Sequence, residues 1–166
     1  MTPFFVETVV RWSDLDANFH LANASYMNFT SYARIAYLRH YGIHLHNLAE
    51  WKIGPAILHE EFSFFKEGHE GEEIIITVEQ TGISDKGEMY EFQHHLYRKK
   101  DGVHLASSKL IGVWFSTEKR KITIPNPEMF DKLSLAIHPE SVRQLSIDDL
   151  KKLPAKAQNV DPKTFQ

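Results

Sequence analysis

The sequence predicts an α+β protein in which an antiparallel sheet of about five strands wraps one long central helix. Two observations carry this reading. Residues 24–41 repeat apolar side chains at helical spacing without Pro or Gly, and strand-like runs separated by turn signals follow them. A further run, Phe4 to Trp12, alternates loosely, is rich in Val, Phe and Thr, and reads as a strand ahead of the helix.

The helix is the most distinctive element. Tyr26, Phe29, Ala33, Ala36, Tyr37 and Tyr41 form one broad apolar stripe, and Met27, Ile35 and Leu38 form a second on another side. A helix apolar over most of its circumference is expected to be buried. At about 1.5 Å per residue it would run roughly 27 Å, and the strands are what remains to wrap it. Asn23 is the expected N-cap and Gly42 the expected stop.

Strands read over Ile57 to Phe65, Glu73 to Gly82, Met89 to Lys99 and Val103 to Phe115, taken as a meander. Ile74, Ile76 and Val78 share one face of the second of these. Asp85-Lys86-Gly87 and Lys100-Asp101-Gly102 are hairpin signals. Beyond them, Asn126-Pro127-Glu128 reads as an N-cap followed by Pro at the first helical position, opening a short helix through Ala136. Ser146 with Asp149 resembles a capping box for another. Residues 152–166 are polar and read as loose. The expected organisation is one domain over residues 1–125, with a short helical C-terminal extension and tail over 126–166.

Composition narrows the function. A chain of 166 residues, 42% hydrophobic and 25% charged, suits one globular domain with a real core. A net charge of -3 argues against nucleic acid as a partner, because phosphate binding wants a basic excess. There is no cysteine, which removes a thiol nucleophile, a disulfide framework and a Cys-ligated zinc. No signal peptide is visible in MTPFFVETVVRW, and no run of about 18 apolar residues could span a membrane. The expected location is therefore the cytoplasm.

Serine-hydrolase, phosphate-loop and dinucleotide fingerprints are missing, so no cofactor is expected. His59-Glu60-Glu61 is no zinc-protease motif, since Ser63 stands where the second His belongs, and Gly42 interrupts His40 and His44. No metal site is expected. Arg98-Lys99-Lys100 and Lys119-Arg120-Lys121 are the dense basic clusters, read as solvated turns in preference to phosphate sites.

What remains is a polar constellation. Asp14, Asp16, Asn18, His20 and Asn23 fall within ten residues, directly before the long helix. Such loops are often plain turns and caps. Here, however, the helix start offers free N–H groups and a partial positive charge that would polarise a carbonyl oxygen. A carboxylate beside it could activate water or attack the carbonyl itself.

The stretch Arg11-Trp-Ser-Asp-Leu-Asp16-Ala-Asn-Phe-His20-Leu-Ala-Asn23-Ala-Ser-Tyr26, followed by Ala33-Arg34, resembles the opening motif of the 4-hydroxybenzoyl-CoA thioesterase-like family. That motif runs D-x-D-x-x-G-H-V-N-N-x-x-Y before a helix often containing Ala-Arg. The resemblance implies a hotdog fold, an acyl-CoA substrate, and a homodimer or dimer of dimers with its sites at the dimer interface. It implies Asp16 as the catalytic carboxylate, acting as base or nucleophile, with His20, Asn23 and Tyr26 touching or shaping the substrate site. Tyr26 is equally suited to plain core packing. Asp14 is expected to serve the turn or Arg11.

The sequence departs from the motif in that Phe19 stands for Gly, Ala22 for the first Asn, and Ser31 and Tyr32 where relatives often carry an acid. These departures keep open a non-catalytic acyl-binding protein. An acyl-carrier-protein thioesterase is a variant that the residues do not separate from the first reading. A hydratase of the same fold ranks lower, because Asp16-Ala-Asn18-Phe-His20 is one residue short of its motif and lacks Pro.

Overall fold

The structure, a computed structural model, describes residues 4–136, 142–161 and 163. Strand β1 (Phe4–Val9) leads through a single 3₁₀ turn (Trp12–Asp14) to helix α1 (Asn23–His40). A short helix α2 (Leu45–Trp51) follows. Then come β2 (Ile53–Phe64), β3 (Glu73–Ser84), β4 (Met89–Arg98) and β5 (His104–Ser116). The C-terminal part holds β6 (Lys121–Ile122), α3 (Pro127–Ser134), β7 (Arg143–Leu145) and α4 (Ile147–Lys151). The expected tail lies partly outside the described residues; of its described positions, Leu153 is half-buried and the others are exposed.

The five long strands form one sheet in the order β1-β3-β4-β5-β2, antiparallel throughout, with short β6 added to β5 and β7 added parallel to β3. The sheet curls around α1, which gives the expected hotdog arrangement. The expected meander needs correction: β3, β4 and β5 form one, but β2 pairs with β5 and not with β3. The reason lies in residues 65–72. The Phe65 N–H donates to the Leu105 carbonyl (2.8 Å), the Gly71 N–H to that of Val10 (2.9 Å), and the Val10 N–H to that of Glu72 (3.0 Å). This segment therefore leaves β2 beside β5, crosses the sheet end, and delivers β3 beside β1.

Helix α1 ends as Gly42 predicts. Gly42 takes φ 76°, its N–H reaches the Arg39 carbonyl (3.0 Å), and the Ile43 N–H reaches that of Leu38 (2.9 Å). Both bonds satisfy carbonyls that the helix end would otherwise leave bare. At the other end the N-cap is Ala22, one residue before the expected Asn23, and it brings no side-chain acceptor.

Only one face of α1 is buried, which corrects the expectation of burial all round. Tyr26, Ala33, Tyr37 and Leu38 enter the core with Ile74, Ile76, Val78, Phe92, Leu96, Leu110 and Trp114. Met27 (48% exposed) and Tyr32 (55%) face outward, because one sheet covers one side of a helix. Met129, Leu133 and Ala136 of the α3 region join the same core, and the Tyr37 hydroxyl donates to the Ala136 carbonyl (3.3 Å). The outer sheet face has its own cluster of Met89, Ile111, Val113 and Leu145, against which Leu150 and Leu153 pack.

A buried polar group sits inside this apolar frame. Arg34 of α1 pairs with Glu60 of β2 at 3.2 Å, with side chains 11% and 7% exposed. The Ser108 hydroxyl donates to the same carboxylate at 2.9 Å, and Arg34 also donates to Ser31. Neighbouring His94 is fully enclosed; burial, then the Arg34 charge, pushes its pKa down to about 3 and keeps it neutral.

Candidate active site

The loop before α1 is built from its own hydrogen bonds. The Asp14 carboxylate accepts from the Arg11 backbone N–H (2.8 Å), closing the 3₁₀ turn. Its carbonyl accepts from the Ala22 N–H and the Ser25 hydroxyl, both at 2.9 Å, which fastens the helix start to the loop. Leu15 and Leu21 face each other in an isolated antiparallel bridge. Between them the chain reverses: the Asp16 N–H donates to the His20 carbonyl (2.9 Å) and the Phe19 N–H to that of Asp16 (3.1 Å).

The reversal needs a left-handed residue, and Phe19 supplies it at φ 62° with its ring 78% exposed. The Asp16 Oδ1 accepts from the backbone N–H of Asn18 (2.8 Å) and His20 (3.3 Å), which fixes the carboxylate. The Asp16 Oδ2 has no hydrogen-bond partner among the described residues.

A cavity of about 340 Å³ opens beside this carboxylate. Asp16, His20, Asn23 and Tyr26, the four residues singled out in the sequence, all line it. Asn23 is the first residue of α1, where its side chain accepts from the Ala24 N–H (2.9 Å). Its own backbone N–H has no partner among the described residues. Tyr26 belongs to core and cavity alike. It is 3% exposed, its ring meets Phe64 edge to face at 5.2 Å, and its hydroxyl approaches the Lys66 carbonyl at 3.5 Å. Burial, then the charges of Glu72 and Glu67, raise its pKa, so the phenol stays protonated.

Phe64, Phe65, Lys66 and Glu67 make the opposite wall, from the end of β2 and the crossing segment. Sequence reading missed them. They lie some forty positions beyond the motif, and only the crossing brings them back. In the basic cluster at Arg98, two of the three residues are in ion pairs: Arg98 with Glu72 and Asp101, each at 3.0 Å, and Lys99 with Glu7 at 2.7 Å.

Fold and motif together define a hotdog protein of the thioesterase type. Residues 10–136 match the thioesterase-like superfamily, and the chain belongs to that family. Among curated proteins none matches the sequence. Solved structures agree in fold. A 1,4-dihydroxy-2-naphthoyl-CoA thioesterase from Synechocystis is 17% identical, with a TM-score of 0.71 over 83% of this chain and 100% of its own. A hypothetical protein from Staphylococcus aureus, in complex with CoA, is 13% identical, with a TM-score of 0.75 over 95% of this chain and 96% of its own. A DHNA-CoA thioesterase from the same organism is 13% identical, with a TM-score of 0.72 over 79% of this chain and 88% of its own. At such identities the likeness is one of fold. No helix among the described residues is long and apolar enough to cross a membrane.

Proposed function

We propose that the protein hydrolyses acyl-CoA thioesters with Asp16 as the catalytic carboxylate. The observation that carries this reading is the cavity lined by Asp16, whose carboxylate keeps one oxygen without a partner among the described residues, and by Asn23 at the open start of α1. With the thioester carbonyl oxygen at the Asn23 N–H, the helix start would stabilise the oxyanion. The Asp16 Oδ2 would take a proton from water as that water attacks the carbonyl carbon. Collapse breaks the C–S bond, and the proton passes to the departing thiolate, leaving free acid and coenzyme A. Attack by Oδ2 itself, through a mixed anhydride that water then opens, uses the same geometry.

His20 and Asn23 would position the acyl group at the cavity mouth, and Tyr26 with Phe64 would line its apolar end. Membership of the thioesterase-like superfamily supports the activity, and the CoA complex of a fold relative supports the carrier. A non-catalytic acyl-binding protein is the competing reading, favoured by Phe19 and Ala22 in the motif. Hydrolysis of a panel of acyl-CoA esters, followed by thiol release, decides between them. Thiol release from at least one ester supports the enzyme; binding without hydrolysis across the panel supports the binding protein.

A further inference from the structure

Two loops far apart in sequence meet at the rim of the cavity. His20 comes from the turn before α1, and Glu67 and His69 come from the segment that crosses the sheet end. One side-chain donor atom from each lies within 4.8 Å of the other two. The rings of His20 and His69 meet edge to face with centroids 5.2 Å apart. None of the three side chains has a hydrogen bond or ion pair among the described residues, so all three keep their lone pairs available.

The backbone beneath them is held independently. The Leu21 N–H donates to the Gly68 carbonyl at 2.8 Å, joining the two loops between the donors. A Cβ on Gly68 would stand 3.3 Å from that of Leu21, so the loops already touch at their closest approach. Arg98 donates to the Glu67 carbonyl at 3.1 Å, and the His69 N–H donates to the Glu72 carboxylate at 3.0 Å.

We infer that His20, Glu67 and His69 form a binding site for one first-row divalent cation of the zinc type. Two imidazoles and one carboxylate, with the remaining positions left to water, are a donor set that such ions take. Calcium and magnesium prefer sets built wholly of oxygen. Around an ion with bonds of about 2.1 Å, the donors stand roughly 3–3.5 Å apart. From within 4.8 Å the trio needs to close by at most roughly 1.3–1.8 Å, which side-chain rotations at the exposed Glu67 and His69 provide. Because His20 and Glu67 also line the cavity, the cation would sit at its rim. The sequence hid this set, since His20 and His69 are 49 positions apart and match no ligand spacing. The inference stands whether or not the cavity hydrolyses thioesters.

The test is calorimetric titration of the tag-free full-length chain, stripped with chelator, with zinc chloride. One saturable site per chain, in the micromolar range or tighter, is expected. His69→Ala and Glu67→Gln should each weaken it at least about tenfold, as losing a metal-site partner does. Both residues are exposed, so circular dichroism should report an unchanged fold. His46→Ala, on an exposed histidine beside another, should leave the affinity alone. The inference is overturned if no saturable one-to-one binding is seen, if both site variants bind as wild type does, or if His46→Ala loses as much as His69→Ala.

Discussion

Phe19 holds a bulky side chain at φ 62°, in the left-handed region, while its ring stands 78% exposed and packs against little that would compensate. Left-handed backbone costs an ordinary L-residue about 1–2 kcal/mol. Asn tolerates it, and a β-branched residue suffers most. Phe19→Asn should therefore stabilise the protein by about 0.5–1 kcal/mol, and Phe19→Val should destabilise it by about 1 kcal/mol. Urea unfolding measures both, and equal midpoints for the three proteins would show that the turn stores no strain. The same position shows what the motif meant physically. Glycine is the usual residue there because the chain must turn left-handed between Asp16 and His20. Here the hydrogen bonds around Asp16 hold that turn with Phe in place. Asp14 and Asp16, two positions apart, divide the work: one carboxylate caps the 3₁₀ turn and the other lines the cavity.

Helix α1 is tied to the sheet by more than apolar contact, through the buried Arg34–Glu60 pair and Ser108. Burial pulls the Arg34 pKa down and Glu60 pulls it back, so the guanidinium relies on its partner. Removing one half of such a pair strands a buried charge, at a cost of about 3–5 kcal/mol. Glu60→Ala should lose roughly that much in urea unfolding, and Arg34→Met with Glu60→Leu together should lose far less. A loss under about 1 kcal/mol for Glu60→Ala would mean that water reaches Arg34.

The elements legible in the sequence were those with local signals. Helix α1 had its apolar repeat and Gly42, the hairpins had Asp85-Lys86-Gly87 and Lys100-Asp101-Gly102, and α3 had Asn126, whose side chain accepts from the Met129 N–H at 2.9 Å. The motif residues are contiguous, so they too could be read. The Arg34–Glu60 pair, the β2–β5 pairing and the far cavity wall could not, because each depends on where the crossing segment sends the chain. Short α2, β6 and β7 carry little periodic pattern and are fixed by their neighbours: Leu145, for instance, sits buried against Gly82, where a Cβ would meet it at 3.1 Å.

In the whole molecule, β2 pairs on one side only among the described residues, and Ile57 and Leu58 are exposed along it. With Met27 and Tyr32 uncovered on α1, this leaves an open sheet edge and an apolar helix face on one chain, features that a second copy would cover. Light scattering at low micromolar concentration should report a mass at least twice that of the chain, and a clean monomer would contradict this. Asp16→Asn keeps the shape and one acceptor oxygen of the side chain but removes the base. The most direct measurement is thiol release from the best acyl-CoA substrate by wild type, Asp16→Asn and Asp14→Asn, with binding of the same ester measured alongside. Asp16→Asn should lose about 10²–10⁴-fold in turnover, with binding kept, and Asp14→Asn should lose less. Hydrolysis by folded Asp16→Asn at the wild-type rate would contradict a catalytic role for Asp16.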